Sequence, residues 1–122
     1  MEPNSQKAVD HSSTMSDMRC VAPTVSRALG VRPPSSSERG PHREAVRMLE
    51  ATDRLAVVVV DAFGLSTWRA VKGRTPCFDS LHAAHGATIK SVMPSITPVN
   101  FATMLTGASP ESHGIINREQ PL

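Results

Sequence analysis

Two short stretches carry residues whose types and spacing could do chemistry. The first, LAVVVVDAFGL over residues 55–65, is an unbroken apolar run that ends on an acid, Asp61. In an open parallel sheet, ligands bind beyond the carboxyl ends of the strands, so an acid there is placed to hold a metal ion. It is equally placed to cap the turn that follows, and position alone leaves both roles open. A phosphatase with an aspartyl nucleophile would favour a second acid two residues on, but position 63 is Phe. The second stretch, PSITPVNFATMLTGASPESHGI over residues 94–115, sets Thr97 and Pro98 at a helix start, with Asn100 three residues on. A helix start offers free N–H groups and a positive dipole end to an anion. A hydroxyl there becomes a nucleophile when a metal or base lowers its pKa. Asn100 could donate a hydrogen bond to a phosphoryl oxygen. Thr before Pro is also an ordinary helix cap with no catalytic duty, Pro98 fitting the first helical position because its missing N–H costs nothing there.

The elements that must position these residues follow from periodicity. Residues 42–52, HREAVRMLEAT, predict a short helix, with Ala45, Val46 and Leu49 on one face. Residues 55–60 are apolar on both faces, the pattern of a central parallel strand covered on both sides. Gly64 then permits a tight turn. Residues 75–86 predict a helix, with Thr75 as N-cap, Pro76 at the first helical position and Gly86 past the end. Residues 87–93, ATIKSVM, predict a second strand. Residues 99–107 predict a helix in which Phe101, Met104 and Leu105 share a face and Gly107 closes the end. Strand, helix, strand, helix implies an α/β fold: a parallel sheet flanked by helices and joined by right-handed crossovers. Residues 1–41, rich in Ser, Pro and Arg, predict a disordered or variable extension, with VRPPSSSERGP at 31–41 as a flexible linker. The domain proper is then 42–122.

Taken together, the two stretches resemble the alkaline phosphatase superfamily, closest to its phosphodiesterase/nucleotide pyrophosphatase branch. In that superfamily an Asp ends the first strand, and a Ser or Thr nucleophile opens a later helix. In the phosphodiesterase branch an Asn follows the nucleophile. Thr-Gly and then Pro-Glu-x-His-Gly come next. Here the same order reads Asp61, Thr97, Asn100, Thr106-Gly107 and Pro110-Glu111-Ser112-His113-Gly114. Thr75-Pro76, Asp79 and Leu81 resemble the Thr-Pro-x-x-Asp-x-Leu helix of these enzymes. The resemblance spans about residues 54–118. One departure is Ala62, where many members have Gly after the metal-binding Asp.

The resemblance implies an alkaline-phosphatase-like sheet of which this chain holds the N-terminal portion. It implies a metal-dependent phosphoric ester hydrolase with two divalent ions, zinc in most members, and a phosphate-ester small molecule as substrate. Asp61 would bind one ion. Thr97 would contact the same ion and act as the nucleophile, and Asn100 would stabilise charge on the non-bridging oxygens. Two metals take about six Asp and His ligands, more than the chain offers near this pair, so the isolated chain is expected to be inactive. The alternative is a non-catalytic remnant or interaction module.

The other candidate ligands carry blander readings. His82 and His85 fall on the expected helix 76–85, away from either strand end, and read as a solvated or half-buried helix face. His113 reads as fixing the Pro-Glu-x-His-Gly loop, with Glu111 also structural. Cys77 lies in the first turn of a helix, which can lower a thiol's pKa, but it reads more plainly as an ordinary core or surface thiol.

Composition sets the outer bounds. The 122 residues allow one domain, with a formal charge of +2 and 3% aromatic residues. Scattered charge and few aromatic rings exclude a nucleic-acid surface. Two cysteines in unlike regions make no disulfide framework. No apolar run approaches the ~20 residues of a membrane span, and no signal segment opens the chain, which together predict a cytoplasmic protein. No Gly-x-Gly-x-x-Gly follows the apolar run and no Walker motif occurs, so a nucleotide-cofactor domain is a poor alternative. Composition leaves the oligomeric state open.

Overall fold

The computed structural model describes residues 15–49 and 51–117. Among these residues a 3-10 turn at Met18–Cys20 is followed by six short helices: α1 (Val21–Ala28), α2 (Arg43–Met48), α3 (Leu65–Val71), α4 (Pro76–His85), α5 (Thr97–Thr106) and α6 (Pro110–His113). The helices end where local chemistry says they should. α4 has Pro76 in its first turn and Gly86 just past its end. α5 stops at Gly107, whose φ of 69° is left-handed and whose N–H returns to the Thr103 carbonyl.

The expected parallel sheet is absent among the described residues, which corrects the α/β, alkaline-phosphatase-like reading. Residues 55–60 form no strand, and residues 87–93 contribute only an isolated parallel bridge between Lys90 and Asp17. The reason is physical. A β-branched apolar run prefers extended backbone, but strand propensity is mostly packing and pairing with neighbouring strands. Residues 55–60 make no backbone hydrogen bond to any described residue. Without ladder partners the run cannot become a strand.

Three helices, α1, α3 and α6, fall where no helix was expected. α3 follows directly on the residue 61–64 turn, with Gly64 as its N-cap residue. Trp68 on α3 is 6% exposed and donates from Nε1 to Asp79 Oδ1 at 2.7 Å. Asp79 also accepts from the Gly73 N–H at 2.7 Å and from Thr75 Oγ1 at 3.0 Å, tying α3 to α4 through one carboxylate. The Trp68 hydrogen bond, followed by those from Gly73 and Thr75, holds the Asp79 carboxyl below its usual range. The half-buried His82 ring lies 4.0 Å from the Trp68 ring, centroid to centroid, while His85 is exposed.

α1 lies within the segment expected to be an unstructured extension. Residues 1–14 of that extension fall outside the described residues, but residues 15–41 are built into the fold. Met18 N–H donates to the Lys90 carbonyl at 3.0 Å, and Lys90 N–H to the Ser16 carbonyl at 2.9 Å. α1 and the 3-10 turn pack on α5. The principal core lies there, with Cys20, Ala22 and Ala28 buried on one side and Val99, Thr103 and Ala108 on the other. Burial pushes the Cys20 thiol up. The buried residues of α1 are Ala, Pro, Thr and Ser, small or polar types without the apolar period that marks a helix in sequence.

Residues 36–38 then strap the C-terminal end of α5. Ser36 Oγ donates to the Thr106 carbonyl at 2.7 Å, and Glu38 N–H to the Gly107 carbonyl at 2.9 Å. The Glu38 carboxylate accepts from the Ser109 N–H at 3.0 Å and from Arg19 Nη1 at 3.1 Å. Arg19 in turn clamps Asp17 at 2.7 Å. The Ser112 hydroxyl, the Ser109 N–H and Arg19 lower the Glu38 carboxyl to about 2 from its ordinary 4.5. A depressed carboxylate stabilises the fold above its unfolded pKa and loses that contribution as pH falls through the folded one. The midpoint of urea unfolding should therefore drop between pH 4.5 and about 2. Glu38→Gln should be less stable at neutral pH and flatter across that window. Equal slopes for the two proteins would remove Glu38 from the strap's energetics.

Candidate active site

Asp61 and Thr97 stand 36 residues apart in sequence and meet in space. Thr97 Oγ1 donates to Asp61 Oδ1 at 3.2 Å and lies 3.4 Å from Oδ2. The pair depends on where α5 begins. Ile96 is extended and takes the N-cap place, so Thr97 is the first helical residue rather than the cap. Its hydroxyl caps nothing and is left to reach across to the acid.

Asp61 is held from its other side by local backbone. Its Oδ1 accepts from the Ala62 N–H at 2.9 Å, and Ala62 has a φ of 54°. This left-handed conformation costs a residue bearing a Cβ about 1–2 kcal/mol. It also gives a backbone reason for the Gly that the resembling enzymes carry after their metal-binding Asp. Ala62→Gly should relieve the strain, partly offset by the greater unfolded freedom of Gly, for a net gain near 0.5–1 kcal/mol. Chemical denaturation checks this; a loss of stability would mean the turn is not strained.

Asn100 lies one helical turn along and is 7% exposed. Its Oδ1 accepts from the Val92 N–H at 3.0 Å and its Nδ2 donates to the Ile96 carbonyl at 3.1 Å. The side chain thereby pins residues 91–93 to the start of α5, and one Nδ2 proton remains for another acceptor. Asp61, Thr97 and Asn100 line one open cavity of about 600 Å³, with Ser91 and Ser95 as further polar groups. Phe63, Leu65, Ile89, Phe101 and Met104 supply much of the apolar wall, and Met18 enters from the N-terminal segment. Sequence reasoning missed Met18, because nothing local marks a residue brought in by α1 packing.

The remaining histidines are engaged elsewhere or solvent-facing. His113 Nε2 lies 2.9 Å from the Oγ1 of fully buried Thr103, and its Nδ1 accepts from the Ile115 N–H at 3.1 Å. These bonds fix the loop after α5, with Gly114 left-handed at φ 77°. His42 Nδ1 accepts from the Ala45 N–H at the start of α2. Cys77 is exposed. His11 lies outside the described residues.

The donor set was weighed against a divalent ion. A carboxylate and a hydroxyl converging within 3.2 Å suit part of the coordination shell of one hard or borderline cation. No group of three or more His, Cys, Asp or Glu side chains able to hold a metal occurs among the described residues. The pair therefore fits part of one ion's shell and does not fit two ions.

Among the described residues no helix is long and apolar enough to cross a membrane. No curated protein and no solved structure matches the chain. The family model for type I phosphodiesterase / nucleotide pyrophosphatase matches residues 55–119, a span that contains Asp61, Thr97, Asn100 and the His113 loop. That match covers more than half of the 122 residues, and the chain belongs to the type I phosphodiesterase / nucleotide pyrophosphatase family.

Proposed function

We propose that this chain carries the nucleophile-bearing portion of a metal-dependent phosphoric ester hydrolase acting on small phosphate esters. The observation that supports it best is the meeting of Thr97 Oγ1 with the Asp61 carboxylate at 3.2 Å. In this reading Thr97 Oγ attacks phosphorus in line with the departing alcohol. A Thr–O–P bond forms as the P–O bond to the leaving group breaks, and the proton lost by the Thr97 hydroxyl ends on the departing alcohol. Water then attacks the same phosphorus, releases phosphate or a phosphate monoester and restores the hydroxyl. Asp61 Oδ1 orients the hydroxyl by accepting its proton in a hydrogen bond. The remaining Nδ2 proton of Asn100 can be offered to a non-bridging oxygen. A divalent ion held by Asp61 and Thr97, zinc in most relatives, would supply the fall in hydroxyl pKa.

The described residues supply too few ligands for two such ions, so the chain is expected to turn over little or no ester by itself. Residues 42–122 carry this portion, and residues 15–41 supply the packing that covers its α5. A metal titration tests the reading directly. The full chain should take up Mn²⁺, followed by its electron spin resonance, and Asp61→Asn should weaken uptake by at least about tenfold, the loss of a charged ligand. Equal uptake by both proteins would remove Asp61 from the metal site. Separately, zinc-dependent hydrolysis of bis(4-nitrophenyl) phosphate by the pure chain, abolished by Thr97→Ala, would contradict its inactivity while supporting the nucleophile. A second reading, an interaction module without catalysis, is favoured by the exposed valines of residues 57–60.

A further inference from the structure

Among the described residues, Met18 is the one wall residue of the Asp61–Thr97 cavity that precedes the family match, which begins at residue 55. Bonds on both sides set its place. Met18 N–H donates to the Lys90 carbonyl at 3.0 Å, and Lys90 N–H donates to the Ser16 carbonyl at 2.9 Å. Two residues beyond Lys90, the Val92 N–H donates to Asn100 Oδ1 at 3.0 Å. Residues 90–92 therefore join Met18 to the helix that carries Thr97. The two neighbours of Met18 close a clamp. Arg19 donates from Nε to Asp17 Oδ1 at 3.0 Å and from Nη2 to Asp17 Oδ2 at 2.7 Å. A bidentate pair of this kind fixes direction as well as distance. Arg19 Nη1 also reaches Glu38 at 3.1 Å, on the strap over α5. The adaptable thioether of Met18 is thus carried on a backbone that is tied down at each end.

We propose that Met18 is a specificity-determining residue: it contacts the organic group of the ester whose phosphoryl meets Thr97, and it favours an uncharged aryl group over a small alkyl one. The inference rests on the hydrolase reading of this site and names the group the site prefers. The chemistry of the walls divides the cavity. Asp61, Thr97 and Asn100 are its reactive end, while Met18, Phe63, Phe101 and Met104 are large apolar side chains. Among the described residues no Lys or Arg lines it, and its acid, Asp61, is engaged with Thr97. The walls therefore offer no free counter-charge to a charged organic group. A thioether packs well against a ring edge, and rings pair edge to face, so an aryl group gains contacts that a methyl group cannot. These contacts come from residues on the wall and do not depend on what closes the cavity's open side.

The full chain, kept reduced and with equimolar zinc, is labelled with ¹³C at its six methionine methyls and titrated with phenylphosphonate or methylphosphonate. The two ligands share a headgroup and differ in the organic group alone. Met18→Leu and Met104→Leu assign the two methyl signals. Phenylphosphonate should move both methyls upfield, through the ring current, and should bind about tenfold more tightly than methylphosphonate. Met18→Ala should remove about tenfold of the phenylphosphonate affinity and leave methylphosphonate unchanged, whereas Met18→Leu should keep most of it. Met18 is half-buried and outside the Val99–Thr103 core, so the variants should keep the parent's circular dichroism. In the parent itself, a shift of Met104 without one of Met18 would overturn the inference and leave the site reading standing. Equal affinity for the two phosphonates, or equal losses for both in Met18→Ala, would overturn it in the same way. No shift of either methyl with either ligand would overturn the inference and the site reading together.

Discussion

Deleting residues 1–40 should abolish cooperative unfolding, although the family match begins only at residue 55. The principal core lies where α1 and the 3-10 turn meet α5, and Cys20, Ala22 and Ala28 are its N-terminal half. Without them Val99 and Thr103, fully buried in the intact chain, face water. The strap also goes, taking the Glu38 contacts to Gly107 and Ser109 and the Ser36 contact to Thr106. A domain this small has stability of only a few kcal/mol, and exposing two fully buried side chains with half their neighbours exceeds that margin. Thermal unfolding by circular dichroism and the spread of amide proton shifts are the readouts. A truncated chain that melts cooperatively near the parent temperature would show that residues 41–122 hold their own core.

Gly107→Ala should cost about 2–4 kcal/mol, combining left-handed strain with a steric clash. Gly107 has a φ of 69°, which any Cβ disfavours. A Cβ built there would lie 2.5 Å from Ser37 Oγ and 3.0 Å from Ser37 Cα, so backbone as well as side chain must move. That shift pulls residues 36–38 off the end of α5. Gly73→Ala is the matched control, because Gly73 has a φ of 87° but nothing within 4 Å of the added carbon. It should lose only the conformational share, about 1 kcal/mol. Equal losses at the two positions, measured by urea unfolding, would mean the strap does not press on Gly107.

The candidate site was legible from residue types in order along the chain. Asp61 after an apolar run, Thr97 and Asn100 at a helix start, and the Pro110–Gly114 loop follow a pattern that local sequence displays without any fold. α4 was legible to its exact bounds, because Pro76 and Gly86 act on their own neighbourhoods. The start of α5 was misplaced. Thr97 looked like the cap, but Ile96 is extended and takes that place, which leaves the hydroxyl for Asp61. Ala62 was noticed as a departure; only the backbone shows it to be left-handed.

By itself the sequence determined the family, together with the helices whose ends are set by Pro, Gly and short-range hydrogen bonds. Tertiary structure decided the rest. A valine run becomes a strand only when another strand supplies hydrogen bonds, and residues 55–60 find none among the described residues. A Ser- and Pro-rich segment becomes structural only when distant residues need covering, and residues 15–41 cover α5. Asn100, expected from sequence to donate to a phosphoryl oxygen, spends its oxygen on the Val92 N–H and one proton on the Ile96 carbonyl, within its own loop and helix start. For the valine run and the N-terminal segment the deciding energy comes from a partner far along the chain, which no local pattern records.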